Sequence, residues 1–277
     1  MIASQREPDV AELAAICRDA AHTPVAHMFA RGFRQETIVP PPFDEFLQKL
    51  VLAGPPDVDL LVPARKASIA PLLRSVEPDL LICSTFPWLV PDDALAVPRL
   101  GSINVHPSLL PKYRGPLPIN AAVRHGETEI GLTVHRMDST FDTGNLLAQA
   151  AVPLLEDDDM KALDTRLRAE LRPLILRAFE RIAAGDPGDA QDEAYASYAP
   201  MIEPEFALVD WSRPAREIHN QVRMWRLPVP FEGVPGPIAE LDGKRVRIRR
   251  TRLEPGEGRR VECGEGALWV LETEPVE

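Results

Sequence analysis

The sequence predicts an α/β fold in which helices cover both faces of a mostly parallel sheet, followed by a small β-rich domain. Over the first two-thirds of the chain, short continuous apolar runs alternate with amphipathic stretches. This is the pattern of strands that are buried on both faces and connected by helices. The last quarter holds short runs bounded by glycine and proline, which are typical of a small sheet or barrel. The length of 277 residues also favours one large and one small domain over a single core.

The elements of the large domain follow from local periodicity. Val10, Leu13 and Cys17 recur at helical spacing, so a helix is expected over 9–20 with Asp9 as its N-cap. Further helices are predicted over 43–53, 68–76, 119–125 and 158–184, and Pro173 should kink or divide the last of them. Strands are predicted over 24–30, 58–62, 80–84, 100–105, 130–137 and 146–152.

The small domain is predicted to follow a linker. The segment 185–193 has the composition of a linker, rich in glycine, proline and aspartate. We therefore predict a large domain over 1–190, a linker over 191–206 and a β-rich domain over 207–277. Its predicted elements are a helix over 214–222 and strands over 237–241, 244–253, 259–262 and 267–271.

Composition excludes several classes of protein. The net charge of −11 argues against a broad non-specific nucleic-acid surface, although a local basic patch is compatible with it. Cys17, Cys83 and Cys263 lie far apart without a Cys-x-x-Cys pair, so neither a disulfide framework nor a zinc site is expected, and a reducing cytoplasm is the expected location. No stretch approaches the roughly 20 apolar residues of a membrane span, and the N-terminus lacks the apolar segment of a secretory signal.

The most informative residues are Asn104, His106 and Asp142. Asn104 and His106 end a short apolar run, and their i, i+2 spacing places both side chains on one face of a strand end. Asp142 comes from a separate Phe-Asp-Thr-Gly segment. An amide donor, an imidazole and a carboxylate that converge can stabilise an oxyanion and move protons. This combination suits the transfer of an acyl group between two nitrogens without a metal.

Each of these residues has a simpler interpretation. A single Asn or His at a strand end is usually a hydrogen bonder of a loop, and Asp142 could begin a turn in which Gly144 takes a positive φ. A dinucleotide oxidoreductase is not expected, because no Gly-x-Gly-x-x-Gly occurs. Phe-Asp-Thr-Gly also occurs in aspartic proteases, but the alternation of strands and helices argues against that mostly β fold.

Two long runs resemble one enzyme family. They are Gly101-Ser-Ile-Asn-Val-His-Pro-Ser-Leu-Leu-Pro-Lys-Tyr-Arg-Gly-Pro and Gly126-Glu-Thr-Glu-Ile-Gly-Leu-Thr-Val-His-Arg-Met-Asp, followed by Phe141-Asp-Thr-Gly. Together they resemble the formyltransferases that use 10-formyltetrahydrofolate, among them methionyl-tRNA formyltransferase, amino-sugar N-formyltransferases and glycinamide ribonucleotide transformylase. A third block, Ser197-Tyr-Ala-Pro-Met-Ile with Asp210-Trp-Ser, is similar to the domain junction of the first two groups and sets the purine enzyme aside.

The resemblance implies a Rossmann-like catalytic domain, an OB-like C-terminal domain and the roles of specific residues. Asn104, His106 and Asp142 would be catalytic, and Asp142 would favour the cationic form of His106. The residues expected to bind the folate are Phe86, Trp88, Leu89, Val90, Asp138, Ser139, Thr140 and Phe141. The alternative is that Phe86 and Trp88 belong to the core. The residues expected to contact the acceptor are Ser108, Lys112, Tyr113 and Arg114. The alternative for Lys112, Tyr113 and Arg114 is that they form a solvated surface loop. The alternative for Ser108, and also for Thr133, is a structural hydroxyl near the site.

Two departures from the family pattern bear on fold and acceptor. Family members open with a strand and a glycine-bearing turn, whereas here the first helix is predicted to begin near Asp9, so the first strand is expected to be missing. The methionyl-tRNA enzymes of the family share a basic loop after the second strand, and the matching segment here, 31–36, is short and weakly basic; the C-terminus is acidic. The amine acceptor is therefore expected to be a small molecule, such as a nucleotide-linked amino sugar, with methionyl-tRNA as the alternative. A non-catalytic folate-binding relative is a lesser alternative, and the oligomeric state stays open.

Overall fold

A computed structural model describes residues 1–30, 54–228 and 236–276 of the chain. The predicted helix over 43–53 and the weakly basic segment 31–36 lie outside these residues. Two compact units are present. The first comprises Met1–Arg114, Gly131–Ala150 and Arg168–Ala196, and the second comprises Gly115–Ile130, Ala151–Leu167 and Ser197–Glu277.

A sheet of seven strands forms the centre of the first unit, in the order β3-β2-β1-β4-β5-β6-β7. The strands are β1 (Ile2–Ser4), β2 (Ala26–Met28), β3 (Asp59–Leu61), β4 (Leu81–Ser84), β5 (Ser102–His106), β6 (Glu129–Arg136) and β7 (Leu146–Pro153). The pairs from β3 to β5 are all parallel, and β6 runs antiparallel to β5. The sheet is therefore mostly parallel, which confirms the predicted class.

The expected loss of the first strand is wrong. β1 lies in the middle of the sheet, where Ile2 pairs with His27 of β2 and with Ile82 of β4. With three residues it is too short to display a period, so the sequence pattern did not distinguish it from the start of the helix. The turn after β1 contains no glycine; instead the Ser4 hydroxyl accepts a hydrogen bond from the Arg6 amide at 3.1 Å.

Helices cover both faces of the sheet. They are α1 (Glu7–Asp19), α2 (Ile69–Val76), the short α3 (Asp92–Leu95) and α5 (Met160–Ala183); α4 is described below with the second unit. Cys83 of β4 lies in one hydrophobic cluster with Ile69 and Leu73 of α2. Its neighbour Ser84 faces the opposite side, where its hydroxyl donates to the Asp9 carboxylate of α1 at 3.1 Å.

Two predictions about the helices need correction. Asp9 is not an N-cap, because α1 already begins at Glu7 and the Asp9 carboxylate accepts hydrogen bonds from Ser84 and from Arg168 Nη2 at 2.6 Å. Pro173 does not divide α5, which continues through it as one helix. In both cases a contact or packing outside the local segment decides the boundary.

The second unit contains α4 (Pro118–His125), α6 (Ala215–Trp225) and an antiparallel sheet of four strands in the order β10-β11-β9-β8. Its strands are β8 (Ile238–Leu241), β9 (Lys244–Arg252), β10 (Arg259–Glu262) and β11 (Ala267–Pro275). Ile218 and Val222 of α6 pack against Ile248 and Leu268 of the sheet. All four predicted strands of this region are confirmed. Among the described residues no helix combines the length and apolarity that crossing a membrane requires.

Candidate active site

The pairing of β5 with β6 brings polar side chains together on one face of the sheet. Asn104 pairs with His135 and His106 pairs with Thr133 across the antiparallel ladder. Residues two apart on a strand share a face, and directly opposed residues lie close together. The same face therefore carries an amide, two imidazoles and a hydroxyl, as the i, i+2 spacing predicted for Asn104 and His106.

The loop after β6 adds the Asp142 carboxylate to this group. Asp142 Oδ1 lies 3.3 Å from Asn104 Nδ2 and 3.6 Å from His106 Nδ1. His106 and Asp142 are buried, at 5% and 9% exposure, and Asn104 is half-buried. The structure thus brings the three predicted side chains together in the first unit.

The hydrogen bonds of His106 define the proton position on its ring. Nε2 lies 2.9 Å from the Tyr113 carbonyl oxygen, which can only accept, so Nε2 carries a hydrogen. Nδ1 is then the nitrogen that can gain or lose a proton, and it faces Asp142. Burial lowers the pKa of His106, and the opposing effects of Asp142 and the Tyr113 carbonyl do not compensate. Asp142 thus favours the cationic form of His106, as predicted, but desolvation outweighs this attraction and the pKa of His106 is lowered overall.

His135 shares the same carboxylate. Its Nδ1 donates to the Arg136 carbonyl at 2.7 Å, its Nε2 lies 3.2 Å from Asn104 Nδ2, and the same Nε2 lies 3.5 Å from Asp142 Oδ1. Asp142 Oδ1 therefore lies at similar distances from both imidazoles. Both hydrogen bonds of Asn104 Nδ2 are longer than the usual 2.9–3.0 Å. They are therefore weak, and Nδ2 can donate instead to a better acceptor.

Left-handed backbone places both partners of His106. Tyr113 and Asp142 have φ values of 61° and 59°, which non-glycine residues rarely adopt. The turn around Asp142 is tightened by Gly144, where an added Cβ would lie 2.0 Å from the Arg136 carbonyl oxygen. No side chain can be accommodated at Gly144 without moving the loop away from β6.

The residues predicted to bind the folate fall into three groups. Phe86 and Trp88 are half-buried, have ring centroids 6.3 Å apart, and pack against the cluster that includes Met28 and Leu73. Leu89 is half-buried as well, but Val90 is only 2% exposed and belongs to the core. The side chain of Val90 is therefore not accessible, and its predicted contact with a ligand is not supported.

The loop over 138–141 carries the remaining predicted folate contacts. The Asp138 carboxylate accepts hydrogen bonds from Thr140 N at 3.0 Å and from Thr143 Oγ1 at 2.8 Å, and these bonds lower the pKa of Asp138 against the effect of burial. Ser139 and Thr140 are exposed, and Phe141 presents 49% of its surface. Asp138 thus orders the loop, while Phe141 presents an apolar side chain.

Of the four residues predicted to contact the acceptor, only Lys112 is exposed. Ser108 is 0% exposed and donates to the Lys112 carbonyl at 2.7 Å, so it is structural. Tyr113 is buried, and the Arg114 guanidinium is held by Gln191 and Glu193. Thr133 is also structural, since its hydroxyl donates to the Ser108 carbonyl at 2.6 Å.

Sequence analysis missed Gln191. The composition of the surrounding segment predicted only a linker. In the structure, Gln191 Nε2 donates to the carbonyl oxygens of Asp142 and Gly144, both at 2.8 Å. Nothing periodic marks this position, because it lies in an irregular segment and the hydrogen bonds of its side chain all reach residues distant in sequence. His135, in contrast, was detectable from its alternation with Thr133 on β6.

Two family models match the chain. The model described as formyl transferase matches residues 43–179, and the model described as formyl transferase, C-terminal domain, matches residues 201–276. Together these segments cover most of the chain, including Asn104, His106 and Asp142.

Individual proteins are similar over most of the chain. A methionyl-tRNA formyltransferase of Geobacter sulfurreducens is 35% identical over 254 residues, covering 86% of this chain and 76% of the relative. The sugar 3N-formyltransferase WlaRD, solved in the presence of dTDP and 5-N-formyl-THF, has a TM-score of 0.67 at 19% identity, covering 98% of this chain and 96% of its own. HypX from Aquifex aeolicus in complex with tetrahydrofolic acid has a TM-score of 0.58 at 19% identity, and this chain spans only 45% of HypX.

The two structural similarities concern the fold, whereas the family models and the sequence identity concern ancestry. The geometry agrees with both, since the Asn104, His106 and Asp142 side chains lie together at the end of β5. The chain therefore belongs to the formyl transferase family.

Proposed function

We propose that the enzyme transfers the formyl group from N10 of 10-formyltetrahydrofolate to a primary amine at the site formed by Asn104, His106 and Asp142. The observation that carries this proposal is their convergence around Asp142 Oδ1, which lies within 3.6 Å of Asn104 Nδ2 and His106 Nδ1. A donor, a base and a carboxylate are the groups that transfer of an acyl group between two nitrogens requires.

In the proposed reaction the neutral amine nitrogen attacks the formyl carbon. The C–N bond forms while the carbonyl electron pair moves to oxygen, giving a tetrahedral oxyanion with a positive amine nitrogen. The amine nitrogen then loses a proton, an electron pair of the oxyanion re-forms the carbonyl, and the bond to N10 breaks as N10 takes its electron pair and a proton. The products are tetrahydrofolate and the formylated amine.

Asn104 supplies the donor for the oxyanion. Its Nδ2 carries two hydrogens whose contacts with Asp142 and His135 are long, at 3.3 and 3.2 Å, so turning one toward a developing negative charge costs little. One such preorganised donor contributes about 3–4 kcal/mol to the stability of the transition state.

His106 carries the proton between the two nitrogens. Because burial keeps its pKa below the ordinary value, Nδ1 is free to accept the proton of the attacking amine. The imidazolium that forms then lies 3.6 Å from Asp142 Oδ1, which stabilises it until the proton passes to N10. Nε2 stays bonded to the Tyr113 carbonyl throughout.

The pH dependence follows from the lowered pKa of His106. A protonated His106 cannot accept the proton of the amine, so kcat should fall as the pH falls through the lowered pKa, with a midpoint below 6.5. The measurement is the pH profile of kcat in wild type and in Asn104→Ala. The variant should be slower at every pH, but the fall of kcat at low pH (the acid limb of the profile) should keep the same midpoint. An acid limb with its midpoint above 6.5 would contradict the assignment.

The folate is proposed to lie against the side chains that follow β4. β4 and β5 are parallel and in register, with Ser84 opposite Val105, so the loop after β4 leaves the sheet at the edge where His106 ends β5. Half-buried Phe86, Trp88 and Leu89 provide apolar surface there, and exposed Phe141 is carried by the loop that ends at Asp142. Such a crevice outside the carboxyl ends of parallel strands is a usual place for a ligand.

For the acceptor we propose methionyl-tRNA, supported by the charge of β9 and the sequence relatives. Six of the nine residues of β9 are lysine or arginine, although the whole chain carries a net charge of −11. Arg247 and Arg249 pair with Glu274. Lys244, Arg245, Arg250 and Arg252 form no ion pair within the described ranges, so their charge is available to a polyanion.

Salt dependence tests this acceptor. A variant with Lys244, Arg245 and Arg250 replaced by alanine should bind methionyl-tRNA more weakly. The slope of log affinity against log salt concentration should also be smaller in magnitude by about 2. Lys66→Ala/Arg74→Ala, which removes two exposed basic residues from the other unit, is the matched control. Equal salt slopes for the triple variant and wild type would contradict binding of tRNA by β9.

A small-molecule amine is the second candidate. The observations that favour it are the acidic balance of the chain and the short, weakly basic segment over 31–36. A nucleotide-linked amino sugar would be formylated with little dependence on salt, and the triple variant of β9 would then keep its kcat/KM. The same series of assays, with both acceptors, separates the two candidates.

A further inference from the structure

The side chain of Gln191 uses all four of its hydrogen-bonding positions next to the catalytic residues. Nε2 donates to the carbonyl oxygens of Asp142 and Gly144 at 2.8 Å each. Oε1 accepts from Arg114 Nε at 3.1 Å and from Arg114 Nη2 at 2.8 Å. An amide has two donor hydrogens and two acceptor lone pairs, so its orientation is fixed and a flipped amide would leave every partner unsatisfied.

These bonds join the two loops that hold His106. Asp142 and its left-handed backbone lie on one side of the imidazole, and the Tyr113 carbonyl lies on the other. Arg114 directly follows Tyr113, and its side chain is 11% exposed. The connection from Asp142 through Gln191 to Arg114 therefore closes a ring of contacts around His106.

We propose that Gln191 is a positioning residue that holds the Asp142 carboxylate at its working distance from His106, through the backbone of Asp142 and through Arg114. The proposal rests on the proposed function of the trio. It assigns the task to a residue from the segment that composition marks as a linker, and it gives Arg114 a structural task in place of the predicted contact with the acceptor.

The physical reason lies in the left-handed backbone of Asp142. Aspartate adopts this conformation more readily than most residues do, but it is still a minor one, so contacts with the rest of the unit are needed to hold the loop in it. Asp138 orders the outer part of the loop through Thr140 and Thr143, whereas Gln191 Nε2 holds the inner part through the carbonyl oxygens of Asp142 and Gly144. Loss of Gln191 should thus displace Asp142 while leaving the outer part of the loop in place.

The test uses two variants of Gln191 and one neighbouring control. Gln191→Met has similar length and forms none of the four bonds, whereas Gln191→Glu keeps the acceptors for Arg114 and loses both donors. Glu193→Gln is the control, because Glu193 also binds Arg114 but lies 71% exposed and does not touch the loop. For each enzyme kcat, the KM for 10-formyltetrahydrofolate, the acid limb of kcat and the melting temperature are measured.

Both Gln191 variants should lose about 10-fold or more in kcat, with the KM for the donor within about 2-fold of wild type, since a misplaced group of the transition state lowers kcat. In Gln191→Met the acid limb should also move to lower pH, because a displaced Asp142 no longer raises the pKa of His106. Glu193→Gln should match wild type. If Gln191→Met does not fold, the proposal is judged from kcat and from the KM for the donor in Gln191→Glu.

Wild-type kcat and an unmoved acid limb in Gln191→Met would overturn the proposal, and so would a loss of kcat that is matched in Glu193→Gln. His106→Ala, assayed beside them, separates this failure from a failure of the proposed function. If His106→Ala is inactive while Gln191→Met is normal, only the positioning role is wrong; if His106→Ala is active, the function assigned to the trio is wrong.

Discussion

Replacing His106 by alanine should lower kcat by about 10²–10⁴-fold, the range that a positioned acid–base group contributes. Alanine removes the Nδ1 that accepts the proton of the amine, and His135 is engaged elsewhere, since its Nδ1 donates to the Arg136 carbonyl and its Nε2 lies against Asn104. The KM for 10-formyltetrahydrofolate should change little. The measurement is the release of tetrahydrofolate under saturating acceptor.

His125→Ala is the matched control for this variant. His125 lies on α4 in the second unit and binds the carbonyl of Ala121 in its own helix, so kcat should not change. Alanine at His106 also removes the hydrogen bond from Nε2 to the buried Tyr113 carbonyl, which should cost about 0.5–1.5 kcal/mol of unfolding free energy. A folded His106→Ala enzyme with undiminished kcat would contradict the assigned role.

Replacing Asp142 by asparagine should lower kcat by about 10²-fold or more, the scale of a lost charge at a transition state. Asparagine tolerates the left-handed φ of 59°, so the loop and its bonds to Gln191 should persist. What is lost is the negative charge that stabilises the imidazolium of His106, 3.6 Å away. The acid limb of kcat should also shift to lower pH, because Asp142 raises the pKa of His106.

Asp142→Ala separates charge from backbone conformation. Alanine removes the same charge and adds a left-handed penalty of about 1–2 kcal/mol, so it should lower the melting temperature further than asparagine does. If asparagine and wild type have the same kcat and the same acid limb, the carboxylate has no electrostatic role, and the mechanism given for His106 is wrong.

The convergence of the trio was predictable because its signals are local. Two polar residues spaced i, i+2 at the end of an apolar run must share a face, and a Pro after His106 ends the strand there. The glycine two residues after Asp142 marks a tight turn that forms against Arg136 of β6, although the positive φ occurs at Asp142 and not, as predicted, at Gly144. The alternating pattern along β6 likewise placed His135 on the same side as Thr133.

Other features depend on tertiary contacts and had no local signal. β1 has three residues, too few for a period, and Asp9 is withdrawn from the helix cap by Ser84 and Arg168. The direction of the pKa of His106 is set by burial under segments distant in sequence. Gln191 lies 49 residues from Asp142, in a stretch whose composition indicates only a linker.

The most direct test of the central claim is a single-turnover experiment with 10-formyltetrahydrofolate labelled in the formyl group and methionyl-tRNA as acceptor. Wild type should release tetrahydrofolate and form the labelled amide in equal amounts at equal rates, and Asn104→Ala, His106→Ala and Asp142→Asn should each slow both by a common factor. Transfer at the wild-type rate in all three variants would contradict the account, because the reaction would then not use the groups gathered at the end of β5.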